Sequence, residues 1–465
     1  MGAVRPVGAL VALLGVTLVA SCTNPDPAAR PRINDTPQLA ARWSVSLADS
    51  YGQIELAQVI DQHIVVAFER GVAVLDRATG KQRWSTAADF PTLPQQGQGV
   101  RVTPDAVVVL NRTGTGASDP GTASAYHIAT GKELASRAYD AADGQVAVVG
   151  DTMLVKYQDG GTQSKTYVLE AVDLKTGREL WKHTYDTFHP LIWQGPHEQR
   201  ATHVSTRDPL LAPGSTLVLL RGYEKVRDAK RGDDLAIRLR VVDARTGRTV
   251  GGPYAAPDHR SMVLLDDDRY ALWDDDPAPG CETQVTGYGV GDGKQAWQLT
   301  AALWRYGHRK TDCAPYWRPL VLEGRLLTYT PDEKPVVVES ATGTATWTGP
   351  EGFYPIGLGG DVLVGRDSRA GGGVTAYDFT SGKRLWGMSA KDAPPQLTLS
   401  EYDAVAGDYA ILSTGYQQVT LYRLGTGEQR RCAGDNELLG AGDGWLLTGL
   451  HGIADEKPQL RYFDL

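Results

Sequence analysis

The chain has 465 residues, 42% of them hydrophobic, and its 55 acidic residues outnumber its 47 Lys and Arg residues to give a net charge of −8. That length and apolar content support a large core. The net negative charge, and the lack of a Lys/Arg-rich segment interleaved with aromatic residues, argue against nucleic-acid binding. They also argue against electrostatic binding to anionic lipid.

The N-terminus has the pattern of an export signal that ends at a lipid-attachment cysteine. Arg5 precedes an apolar run over 7–20, which at 14 residues is too short to span a bilayer comfortably. Two small residues then precede Cys22, which resembles a bacterial lipoprotein cleavage box. We expect a signal peptide over 1–21, lipid on Cys22 and a proline-rich tether over 22–38. An ordinary signal with a chance cysteine is the alternative.

The body, residues 39–465, is predicted to be all-β. Short runs rich in Val, Leu and Ile, such as 64–68 and 409–413, are bounded by Gly, Asp or Pro. The 53 glycines and 26 prolines fit many tight turns. No run of helical period exceeds two turns.

One motif organises this body, and its first copy is 72–84 (VAVLDRATGKQRW). An apolar strand ends in a small polar residue, a Thr-Gly turn follows, and a second strand begins. Glycine supplies the positive φ that the turn needs. The turn glycines recur every 39 to 51 residues apart from one interval of 70, which indicates stacked units of one type. They are Gly80, Gly131, Gly177, Gly247, Gly293, Gly343, Gly382 and Gly427.

Five of these glycines are followed four residues later by tryptophan. A tryptophan at a fixed place on an outer strand can cover the flank of the next unit and bury roughly 150–250 Å². We interpret these residues as structural docking residues, because one stacked cofactor could not touch five positions spread around a ring. They are Trp84, Trp181, Trp297, Trp347 and Trp386.

The chain ends carry complementary halves of one unit. Residues 41–47 look like the strand after a Thr-Gly turn, and residues 459–465 look like the strand before one. We expect the ends to pair in one sheet and close a ring.

This repeat set resembles the PQQ-type β-propeller family over nearly the whole body. The resemblance implies a single propeller of four-stranded antiparallel blades. Counting the split closing unit, the sequence holds nine candidate units. Rings of that family usually have seven or eight blades, so we expect eight, within a range of seven to nine, with one unit degenerate.

Long insertions point to a binding face. If strands A to D run from the axis outwards, the Thr-Gly turns and A-to-B loops share one face, here called the turn face. The B-to-C loops and D-to-A crossovers share the other, here called the loop face. The insertions 182–204, 221–234, 274–283 and 301–319 are all assigned to the loop face, where such enlargement often serves binding.

These insertions contain the candidate partner-contacting residues, although packing of the loops onto the blades is an equal alternative. The candidates are His189, Trp193, His197, Tyr223, Trp304, Tyr306 and Trp317.

Cysteines and acidic clusters favour a disulfide but no metal centre. Export permits disulfides, and Cys281 and Cys313 lie in insertions of one face on adjacent blades, so we expect them to pair. Cys432, on an expected outer strand, is assigned no disulfide partner in this prediction. The Asp triplets at 266–268 and 274–276 lie roughly 17–20 Å apart along an extended strand and cannot share one ion.

Enzyme motifs are missing from the sequence. It contains no HExxH, Cys-x-x-Cys, GxxxxGK[ST] or G-x-S-x-G pattern. The family resemblance raises a quinone-dependent dehydrogenase with PQQ and Ca²⁺ as an alternative. Such enzymes are longer, and the alcohol-oxidising ones carry adjacent cysteines, which this chain lacks. We therefore expect no cofactor.

The leading hypothesis is a non-catalytic lipoprotein with a monomeric propeller that binds a protein partner outside the cell membrane. The repeat and the lipid anchor resemble those of the lipoprotein subunit of the outer-membrane barrel assembly machinery. That subunit is a scaffold that binds a partner protein with its loop face. That similarity covers fold and anchor only. A sensor or binding module for a small extracellular ligand is the second hypothesis.

Overall fold

A computed structural model shows an all-β fold, as predicted. Within the described residues there is no helix long and apolar enough to cross a membrane. The structure describes residues 16–17, 39–47, 52, 54–88, 99–112, 120–140, 145–159, 166–185, 188–192, 215–225, 235–255, 260–274, 282–301, 304–306, 313–315, 320–322, 325–332, 334–367, 373–388, 404–413, 418–433, 437–450 and 459–465.

Four-stranded antiparallel sheets follow one another as the blades of a single propeller. From A to D, blade 1 comprises Ile54–Ile60, His63–Phe68, Gly71–Asp76 and Gln82–Ala87; blade 2 comprises Val100–Val102, Ala106–Arg112, Pro120–His127 and Glu133–Asp140; blade 3 comprises Gln145–Val149, Thr152–Asp159, Thr166–Asp173 and Glu179–Tyr185. Blade 4 comprises Phe188–Ile192, Leu217–Lys225, Leu235–Asp243 and Thr249–Ala255; blade 5 comprises Arg260–Leu264, Arg269–Asp274, Thr283–Gly289 and Gln295–Ala301; blade 6 comprises Leu320–Leu322, Arg325–Tyr329, Pro335–Glu339 and Ala345–Thr348. Blade 7 comprises Phe353–Gly359, Val362–Asp367, Gly373–Asp378 and Arg384–Gly387; blade 8 comprises Ala404–Ala406, Tyr409–Ser413, Gln418–Arg423 and Gln429–Ala433; the closing blade comprises Glu437–Gly442, Trp445–Leu450, Gln459–Asp464 and Trp43–Ser46.

Two short elements lie outside this scheme. Val16–Thr17 pairs with the outer edge of Trp43–Ser46. Between blades 5 and 6, Trp304–Tyr306 and Cys313–Pro315 form a hairpin.

The closing blade joins the two ends of the chain as the sequence predicts. Trp43 and Tyr462 are opposite one another in the register, and their rings stack with centroids 5.4 Å apart. The indole Nε1 of Trp43 donates to the carbonyl of Arg77 at 2.8 Å, and the Arg77 guanidinium donates to the Tyr462 hydroxyl at 2.6 Å. These contacts fix the closing blade to blade 1.

The structure has nine blades, so the expectation of eight is wrong, although nine lies within the range of seven to nine. Each candidate unit forms its own four-stranded sheet, and none is degenerate. The expectation relied on the usual ring size of the family. Each unit here has apolar B and C strands of its own, so each can complete a blade.

The hydrophobic core is divided among the seams between adjacent blades, and each of the nine seams has its own buried cluster. In blade 1, Val65 and Ala67 pack toward blade 2, whereas Ile64 and Val66 pack toward the closing blade. Both faces of a B strand are therefore buried. This explains why B strands read as continuous apolar runs rather than as alternating patterns.

The predicted insertion 182–204 contains a strand, so its assignment as one D-to-A crossover is wrong. Phe188–Ile192 is strand A of blade 4 and pairs with Leu217–Lys225. Pro190 within it weakens the sequence pattern of a strand. Residues 193–214, which follow this strand in the sequence and include Trp193 and His197, lie outside the described residues.

Candidate functional site

Tryptophans on the outer strands contact the Thr-Gly turn of the following blade. Trp297 of blade 5 donates from Nε1 to the carbonyl of Ser340 in blade 6 at 2.7 Å. Its ring lies against Gly343, where a Cβ atom would be 2.5 Å from the ring. An Nε1 bond to the next blade's turn is made by Trp43, Trp84, Trp181, Trp297 and Trp386.

Blades 6 and 4 vary this contact. Trp347 of blade 6 packs edge-on against Phe353 of blade 7, with centroids 6.1 Å apart. In blade 4 the register of strand D shifts, and Tyr254 takes the docking position and donates to the carbonyl of Val290 at 2.8 Å. The sequence pattern did not predict Tyr254, because this residue follows the turn glycine Gly247 by seven positions and not by four. An aromatic residue later in the same strand was the available signal.

The loop-face candidates are described to different extents. Tyr223 lies on strand B of blade 4, 38% exposed, and is paired in register with His189. The backbone of Trp304 and Tyr306 forms one strand of the short hairpin, in which Tyr306 is opposite Cys313. The side chains of His189, Trp304, Tyr306 and Cys313, and all of Trp193, His197, Trp317, Cys281 and Cys22, lie outside the described residues. The disulfide between Cys281 and Cys313 therefore stays a prediction.

An aromatic column runs along the seam between blades 3 and 4. Trp181, His183 and Tyr185 alternate along strand D of blade 3, with ring centroids 4.9 and 6.4 Å apart. His183 Nε2 donates to the carbonyl of Gly247 at 2.9 Å. Tyr185 packs edge-on against Phe188 of blade 4 at 5.5 Å. The column therefore connects the turn face to the loop face.

The column ends in a charged group at the loop-face end of blade 4. Arg238 Nε donates to Glu224 Oε2 at 3.2 Å, and Arg240 Nη2 lies 3.6 Å from Glu224 Oε1. The Arg240 guanidinium stacks over the Phe188 ring at 4.5 Å. Burial raises the pKa of Tyr185, and the nearby Arg240 charge opposes that rise. We call Tyr185, Phe188, Glu224, Arg238 and Arg240 the blade 4 cluster.

This cluster combines side chains that suit protein recognition. Arginine and tyrosine are enriched where partner proteins bind most tightly. Arg238 and Arg240 are partly accessible, at 32% and 24%. Tyr223, on the same strand as Glu224 but on the other side of the sheet, adds an exposed aromatic ring at this end of the blade. The loop-face end of blade 4 can therefore offer stacking, charge and hydrogen bonds together.

The sequence matches the family described as outer membrane protein assembly factor BamB over residues 68–262 and 282–433, which is more than half of the chain. The chain belongs to this family. Among solved structures, BamB from Moraxella catarrhalis is similar at 14% identity and a TM-score of 0.43, covering 92% of this chain and 100% of that one.

Two quinone enzymes are also among the similar structures. A europium-containing methanol dehydrogenase has 15% identity and a TM-score of 0.40, covering 92% of this chain and 93% of its own. The quinohemoprotein alcohol dehydrogenase from Comamonas testosteroni has 15% identity and a TM-score of 0.42, with coverages of 92% and 76%. Comparison with curated proteins gives no match.

Among the described residues, no three His, Cys, Asp or Glu side chains gather where they could ligate a metal. The first Asp triplet instead links blades. Asp266 accepts a hydrogen bond from Ser340 of blade 6 at 2.6 Å, and Asp267 accepts one from Ser215 of blade 4 at 2.5 Å.

Proposed function

We propose that this BamB-family protein is an exported, lipid-anchored scaffold, without a resident cofactor, whose loop face binds a partner protein in the cell envelope. The observation that carries the proposal is the loop-face end of blade 4, where Tyr223 is exposed on one side of the sheet and the partly accessible arginines of the blade 4 cluster lie on the other side. Such side chains dominate protein interfaces.

The anchoring part of the proposal rests on the N-terminal sequence. An apolar run followed by Cys22 favours lipid attachment, and one acyl-bearing terminus with a tether would keep the propeller close to the membrane. The rigid ring then presents its loop face to proteins on the outer side of that membrane. A scaffold of this kind needs no catalytic residue.

Photocrosslinking in cells tests the interaction. With p-benzoylphenylalanine in place of Tyr223, we expect irradiation to yield one discrete protein adduct, identified by mass spectrometry. Leu180 gives a matched control, because it is also 38% exposed but lies on the outer strand of blade 3. The same replacement at Leu180 should give no such adduct.

Two outcomes would contradict the scaffold. One is an identical set of adducts from both positions, which would indicate random collision. The other is no adduct from Tyr223 together with steady dye reduction when the purified protein receives PQQ, Ca²⁺ and an alcohol. That second result would favour the dehydrogenase.

A further inference from the structure

We infer that Arg238 and Arg240 form a carboxylate-binding site that takes an Asp or Glu side chain of the partner protein. This inference rests on the proposed scaffold function and names the chemistry of the partner. It would make an acidic segment the part of the partner that docks at the loop-face end of blade 4.

The first reason is the charge balance of the blade 4 cluster. Among the described residues, two guanidinium groups share the carboxylate of Glu224, so these ion pairs leave one positive charge in excess. Lowered dielectric at a partly buried site strengthens attraction to a second carboxylate. The protein as a whole is acidic, so this local excess of positive charge is specific to its place on the surface.

The second reason is the unused hydrogen-bonding capacity of Arg240. Its Nη2 lies 3.6 Å from Glu224, which is beyond a normal hydrogen bond. Its Nε is buried and has no hydrogen-bond partner among the described residues. The buried Nε is out of a partner's reach, so a partner carboxylate would accept from the Nη side of the partly accessible guanidinium through charge-assisted hydrogen bonds.

The third reason is that the arginine is held in place before any ligand arrives. Phe188 is buried, its ring packs edge-on with Tyr185, and the Arg240 guanidinium lies over the ring. Stacking restricts the side chain, so little rotamer entropy remains to be lost on binding. Arg238 lies two residues nearer the loop face on the same strand, so it is on the same side of the sheet and adds a second donor group.

A similar arginine elsewhere in the ring supplies a control. Arg325 of blade 6 stacks over Phe379 at 4.6 Å and bonds Glu339 at 2.8 Å. There one arginine meets one carboxylate, and Arg325 begins its B strand at the turn face. Arg325→Gln therefore removes the same kind of stack and ion pair without touching the proposed site.

Fluorescence anisotropy with a labelled hexaglutamate peptide tests the site on the full-length protein in detergent. We expect the peptide to bind, with affinity that falls as salt rises, and the Arg238→Gln/Arg240→Gln variant to bind it at least about tenfold more weakly. Arg325→Gln should leave the affinity unchanged. Arg238→Gln alone should weaken binding as well. It removes the arginine that does not stack on Phe188, so it reports on the site even if the double variant folds poorly.

Several results would overturn the inference. They are equal affinity of wild-type and Arg238→Gln for the peptide, or a loss of affinity in Arg325→Gln as large as that in the double variant. The crosslink from position 223 separates this inference from the scaffold. An adduct that persists unchanged in the double variant leaves the scaffold intact and removes the carboxylate site.

Discussion

Replacing Trp43 by alanine is expected to lower the free energy of unfolding by about 3–5 kcal/mol, as for other buried tryptophans. The side chain is only 2% exposed, stacks on Tyr462, and donates to the carbonyl of Arg77. It therefore connects three segments at the point where the ring closes. Urea unfolding followed by tryptophan fluorescence measures the change.

Leu180→Ala is the control for that experiment. Leu180 also lies on an outer strand, but it is exposed, so its truncation should cost less than about 0.5 kcal/mol. A similarly small loss for Trp43→Ala would mean that the closing seam does not contribute to stability. That result would remove the packing argument for a closed ring.

Replacing Gly343 by alanine is expected to cost about 3 kcal/mol or more, from left-handed strain and a displaced ring together. Gly343 has φ +68°, and an added Cβ would lie 2.5 Å from the Trp297 ring. The ring must then move, which breaks its 2.7 Å bond to the Ser340 carbonyl and exposes buried aromatic surface. Thermal unfolding should show a lowered midpoint.

Gly444→Ala separates strain from docking. Gly444 has φ +73°, but nothing lies within 4 Å of its added Cβ. It should cost only the left-handed strain of roughly 1–2 kcal/mol. If both variants lost the same stability, the tryptophan contact would not be holding adjacent blades together.

Most of the fold could be predicted from the sequence, because turn residues and apolar runs determine local structure. Positive φ at Gly80 and its equivalents follows from turn geometry, and all eight turn glycines adopt it. Asp76 accepts the backbone N–H of Thr79 at 3.0 Å, the turn bond that its residue type indicates. Apolar runs marked the buried strands because both of their faces lie in seams.

The features that escaped prediction depend on contacts between distant segments. Tyr185, Phe188, Glu224 and Arg240 come from four strands of two blades, and no local pattern brings them together. The number of blades is a property of the whole ring, so the usual blade number of the family did not predict it. Strand A of blade 4 was missed because Pro190 interrupts its pattern.

Ring closure determines which loops share a face, and a cysteine pair tests it most directly. Ser46 and Gln459 are opposite one another in the register of the closing blade, so their Cβ atoms should be close enough for a disulfide. We expect peptide mapping of Ser46→Cys/Gln459→Cys to find a link between the two ends of the chain. The offset pair Ser46→Cys/Leu460→Cys should give none, because adjacent strand residues point to opposite faces. Unlinked thiols in the first variant, or equal linkage in both, would contradict the closed ring and the loop face defined from it.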